Sequence, residues 1–93
     1  MFLYFRALSV GENSLQNNII IYPNPANDFL NIRFDNPQNQ NEQIIIYDIY
    51  GKAIFKSIIP SGTGNFTIDI RTFSQGIYLI HANGINSRFI KVN

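Results

Sequence analysis

Past residue 18 the chain is cut into short apolar runs, and no segment carries the spacing of a long amphipathic helix. The runs cover residues 19–22, 29–34, 43–47, 53–59, 65–70, 77–82 and 87–92. Several alternate. Leu30, Ile32 and Phe34 share one side while Asn31 and Arg33 take the other. Phe66, Ile68 and Ile70 likewise oppose Thr67 and Asp69. A period of two is the mark of a half-buried strand. Turn signals separate the runs: a polar loop over 36–42, a glycine pair at Gly62 and Gly64, and Asn83-Gly84. The last suits a two-residue type I′ hairpin, because both of its residues tolerate positive φ. Residues 71–76 have room for one short turn at most. The pattern predicts an all-β fold, a seven-stranded immunoglobulin-like antiparallel β-sandwich. A closed barrel is the alternative.

The first run stops at Pro23-Asn24-Pro25 and a second starts almost at once. Proline has no N–H to donate to a ladder, and it pushes the preceding residue toward extended conformations. Tyr22 to Pro25 are therefore expected to be extended, stiff and unpaired. Ala26-Asn27-Asp28 would supply the turn, since Asn and Asp side chains bond nearby backbone. The stretch reads as strand, rigid corner, strand.

A length of 93 residues predicts one domain with a modest core. Charged residues make up 14% of the chain and the net charge is +1. That balance gives no electrostatic basis for binding nucleic acid or an anionic membrane. With no cysteine, neither a disulfide framework nor a thiolate metal site is available. Residues 1–18 read as a linker or the tail of something upstream. The apolar start is interrupted by Arg6, lacks a basic leader and is followed by no small-residue cleavage site, which speaks against a signal peptide.

Chemistry-bearing residues are few. His81 is the only histidine and is expected on the strand face opposite Tyr78, with no second histidine to share a metal. Asp28, with Asn24 and Asn27, could offer oxygens to a cation, but capping of the turn is the simpler role. The serines lack a base. Asn65-Phe66-Thr67 matches a glycosylation sequon. No catalytic residue, metal site or cofactor is predicted, and no enzyme activity is expected.

Three local features stand out. One is the corner Tyr22-Pro23-Asn24-Pro25. The second is Ile46-Tyr47-Asp48, where a strand ends, with a turn at Gly51-Lys52. The third is Gly76-Ile77-Tyr78, which opens a strand after a short crossing. A tyrosine so placed fits a tyrosine corner, with its hydroxyl tied to backbone. With the closing run Arg88-Phe89-Ile90-Lys91-Val92, the ordered set resembles the C-terminal sorting domain, type A, of type IX (Por) secretion system cargo. The resemblance covers residues 19–93.

It implies an immunoglobulin-like sandwich that is an address and has no catalysis of its own. Its partners would be the outer-membrane type IX translocon, a cell-surface sortase and a cargo domain upstream in the same chain. The cargo would pass the periplasm and outer membrane to be secreted or held at the cell surface. The family usually has a lysine near the start of its last strand. Here Arg88 stands there, with Lys91 three residues on. Recognition is expected in Arg88, Phe89, Ile90, Lys91 and Val92. In this strand Ile90 and Val92 are expected to face the core, with Arg88 and Lys91 at the edge or in solvent. The competing reading is a stand-alone immunoglobulin-like adhesion or carbohydrate-binding module. A sugar platform would need exposed aromatics, and the chain has no tryptophan.

Overall fold

Seven strands form where the short runs predict them: β1 (Ile19–Tyr22), β2 (Phe29–Phe34), β3 (Glu42–Tyr47), β4 (Ala53–Ile59), β5 (Asn65–Asp69), β6 (Gly76–Ala82) and β7 (Ile85–Lys91). They are seen in a computed structural model that describes residues 19–93. The linker expected over residues 1–18 lies outside the described residues. All neighbouring strands pair antiparallel. They make two open sheets, β1-β2-β5 and β4-β3-β6-β7, so the fold is the sandwich and not the barrel. No helix occurs among the described residues.

The core lies between the sheets. Leu30, Ile32 and Phe34 of β2 and Ile68 of β5 come from one side. Ile44 and Ile46 of β3, Ile80 of β6 and Phe89 of β7 come from the other. Each such side chain stabilises the fold by roughly 1.5–3 kcal/mol when fully removed from water. The expected alternation in β2 and β5 holds. Ile70 falls just past β5 but stays buried, and its N–H donates to the Asp28 carbonyl at 2.9 Å.

The β6–β7 hairpin turns on Asn83 and Gly84, with φ of 56° and 72°. No residue is spare in such a turn, so pairing starts at once with Ala82 opposite Ile85. β7 therefore begins two residues before the alternation indicated. This register puts Phe89 opposite Tyr78 and Lys91 opposite Gly76. It corrects the expected facing of the last strand. Phe89 and Lys91 point inward and are buried, whereas Ile90 is 43% exposed. The aromatic ring outcompetes the isoleucine for the core. Lys91 follows by parity, burying its aliphatic stem while Nζ donates to the Val92 carbonyl at 3.0 Å. Arg88 is exposed, as expected.

Tyr78 forms the predicted corner. Its hydroxyl donates to the Ser74 carbonyl at 2.6 Å, across the 71–76 crossing. The ring stacks on Phe89, centroids 5.4 Å apart and 20° between planes, and tilts against Phe73 at 5.2 Å. The crossing is a single turn, closed by the Phe73 N–H on the Ile70 carbonyl. Beside it, Arg71 grips Asp69 with two bonds of 3.0 and 2.7 Å while its guanidinium lies 5.3 Å from the Phe29 ring centre.

Two tests follow from these contacts. Tyr78→Phe removes this hydrogen bond and is expected to cost about 0.5–1.5 kcal/mol by urea denaturation; an unchanged midpoint would count against the corner. The hydrogen bond from Arg71 lowers the Asp69 carboxyl from 3.8 to about 2. Its stabilisation is complete above pH 3.8 and is lost as pH falls through about 2. Both side chains are exposed, so the effect is small. Asp69→Asn is expected to flatten stability against pH in that window, and parallel curves for the two proteins would exclude the pair as a contributor.

Candidate functional site

The site is best built from β7, because a last strand at a sheet edge is the part of a sandwich that another chain can reach. β7 is such an edge. Its far half, however, is not open. Past β1 the chain leaves the three-stranded sheet at Pro23-Asn24-Pro25, with cis bonds before both prolines, and lands on β7. The Asn24 carboxamide reads the strand like a short piece of backbone. Its Oδ1 accepts from the Ile90 N–H at 3.0 Å, and its Nδ2 donates to the Arg88 carbonyl at 3.4 Å. Ala26 continues the pairing as a parallel bridge to Lys91. Its N–H donates to the Ile90 carbonyl and its carbonyl accepts from the Val92 N–H, both at 2.8 Å.

This corrects two expectations about the corner. Tyr22 pairs with Asn31 in β1, and Asn24 is bonded, so residues 22–25 are not an unpaired spacer. Ala26 is fully buried and bridges the sheets instead of starting the turn, which is left to Asn27 and Asp28. Between two prolines, which bring no N–H of their own, the asparagine side chain is the group that can both donate and accept. Nor is the outer edge of β7 open along its whole length. The strap of residues 24–26 covers residues 88–92, and the register leaves only the outward groups of Asn86 and the Arg88 N–H outside these bonds.

The structure thus joins most of the singled-out residues. Asn24, with Ala26, meets Arg88, Ile90, Lys91 and Val92 at one edge, whereas Tyr22 stays in the smaller sheet with its hydroxyl donating to the Asn65 Oδ1 at 3.0 Å. Gly76 and Tyr78 lie beside Lys91 and Phe89 on the neighbouring strand. Asp48, Gly51 and Lys52 are elsewhere, in the β3–β4 turn. The Asp48 Oδ1 accepts from the Tyr50 N–H at 2.9 Å and the Lys52 N–H at 3.0 Å, and Gly51 takes φ of 83°. This carboxylate is committed to closing its turn. Between that turn and the 71–76 crossing lies an open recess of about 560 Å³, with Tyr50, Ile54 and Ile77 on its walls.

Residues missed from the sequence are Ala26, whose burial has no periodic signal, and Ser74, which serves through its carbonyl. His81 faces outward, opposite to Tyr78 as expected, with Nδ1 2.7 Å from the Asn86 Oδ1. Among the described residues no cluster of three or more His, Cys, Asp or Glu is placed to hold a metal.

The strap can be tested directly. Asn24→Ala removes both carboxamide bonds and leaves the Ile90 N–H facing solvent at the edge. The expected loss is about 1 kcal/mol, with amide exchange at Ile90 faster by about fivefold. Exchange unchanged at Ile90 would show that the carboxamide does not protect the edge.

Comparison with known proteins bears on the same segments. A family model described as "Secretion system C-terminal sorting domain" matches residues 20–92. No curated protein matches the chain. Among solved structures, a thermostable endoglucanase mutant from Alicyclobacillus acidocaldarius is similar at a TM-score of 0.48 and 15% identity, over 69% of this chain. The chain spans 12% of that protein's length. The family match runs from β1 through β7 and takes in the proline corner, the Asp48 turn, the tyrosine corner and the terminal strand; the chain belongs to the secretion system C-terminal sorting domain family.

Proposed function

We propose that the domain is a non-catalytic C-terminal address that sends an upstream cargo through the type IX machinery. Membership of the family implies dealings with that machinery and export to the cell surface or medium. The finer steps are our reading. The cargo crosses the periplasm, the outer-membrane translocon recognises the folded domain, and a cell-surface sortase removes it within the linker and attaches the cargo. Residues 1–18 serve as that linker, and no cofactor is required.

The observation that carries this reading is the placement of β7. It is an edge strand, and its N-terminal half keeps free edge groups at Asn86 and Arg88. Backbone pairing there would supply affinity, and the Arg88 side chain specificity. Phe89 and Lys91 act from within by holding the strand in register. Arg88, not Lys91, therefore fills the terminal basic role, because Lys91 is buried against Val92. A sugar-binding module is not favoured: the outward face of the larger sheet is mainly aliphatic.

The test is export of a reporter with a signal peptide and the full 93-residue chain at its C-terminus, in a type IX-competent host. Arg88→Ala is expected to leave the melting point unchanged and to reduce export several-fold, about what loss of one interface side chain costs. Deletion of residues 89–93 removes the buried Phe89 and is expected to abolish export. A deletion that is exported like the intact graft would rule out the terminal strand as the signal.

A further inference from the structure

In a two-layer sandwich each sheet needs only one apolar face, and the other is normally polar. The smaller sheet follows this rule at its centre, where β2 and β5 turn Asn31, Arg33, Thr67 and Asp69 outward. The four-stranded sheet does not. Its outward side shows Ile45 and Tyr47 from β3, Ile54 from β4, Ile77 and Leu79 from β6, and Ile90 from β7. Ile77 and Leu79 are each 46% exposed, Ile90 43% and Ile54 37%. The register makes them contiguous, with Tyr47 beside Leu79 and Ile77 beside Ile90. Ile54 precedes Phe55, the partner of inward-facing Ile46, and so faces the same side as Tyr47.

The charged side chains on the outward face of these strands have one sign. Lys56 sits next to Ile45 on one flank and Arg88 next to Leu79 on the other. No outward-facing position of these strands carries a carboxylate. Asp48 borders Ile54 and Ile77 at one end of the patch, where its Oδ1 is turned to the Tyr50 and Lys52 N–H groups of its own turn.

We propose that this face docks a protein partner whose contact surface is apolar at its centre and acidic at its margins. The inference rests on the sorting reading and deepens it: the partner belongs to the export machinery, and β7 is one border of a recognition surface that reaches across to β4. Arg88 and Ile90 belong to both, so a partner that reads the terminal strand from outside also covers the face. A second copy of the chain is a poorer fit. It would set Lys56 and Arg88 against cations of their own kind. Four strands by about six residues give on the order of 400 Å², roughly half of the ~800 Å² a side that a stable interface buries.

Two variants of the 93-residue graft test the proposal. Ile77→Thr with Leu79→Thr removes the apolar centre while placing β-branched residues at both strand positions. Lys56→Glu with Arg88→Glu reverses the margin and leaves the apolar side chains in place. Both are expected to melt like the parent and to lower export about tenfold or more, as loss of a central contact does. The purified parent is expected to sediment as a monomer and not to float with phosphatidylglycerol vesicles.

Failure of the intact graft to be exported would refute the sorting reading itself. Export of the intact graft with undiminished export of both variants would refute the docking face and the role given to Arg88, and would leave the sorting reading standing. A parent dimer abolished by the threonine pair would make the occupant a second copy. Vesicle flotation abolished by the same pair would make it a membrane. Either result overturns the proposed partner.

Discussion

The sandwich depends on one switch of partner. After four residues in the smaller sheet, the chain leaves β2 and lays residues 24–26 along β7 of the larger one. Two sheets that meet only through their apolar faces could slide, because hydrophobic contact is not directional. Hydrogen bonds from Asn24 and Ala26 to Arg88, Ile90 and Val92 are directional. They fix the first strand against the last, and with them the offset between the layers. The buried Ala26 suits this place, since a larger side chain would have to displace the core beside it.

The strap also manages the hazard of an exposed edge. An open edge invites pairing with any extended chain. Here the C-terminal half of β7 is covered and its N-terminal half is left free. Whatever pairs with β7 meets a short docking length next to Arg88, which restricts the choice of partner. A partner docked on the outward face would be selected in another way, through shape and charge and not through backbone bonds.

Much of the fold was legible in the sequence because its signals are local. Alternation in β2 and β5, the Asn83-Gly84 turn and the tyrosine after Gly76 each depend on a few neighbouring residues. What was not legible is long-range. The inward facing of Phe89 follows from the hairpin register, and the isolated run Ser87 to Val92 reads equally well in either parity. The Asn24 bonds span more than 60 positions of sequence. Nothing near Asn24 shows which strand it will reach, although an asparagine between two prolines does indicate a side chain that must stand in for missing backbone donors. The apolar outward face was hidden by the same alternation rule that found the strands, which assumes that one side is polar.

The closing contact joins the first corner of the domain to the last residues of its last strand. Phe89 completes the aromatic stack on Tyr78, and Val92 completes the bonds to Ala26. During synthesis, every earlier strand can be present while the strap still has nothing to lie on and the stack lacks its third ring. The module can close only when residues 89–92 have emerged. A partner that required the closed shape would therefore read whether translation had reached that point, and a chain cut short before it would not present that shape.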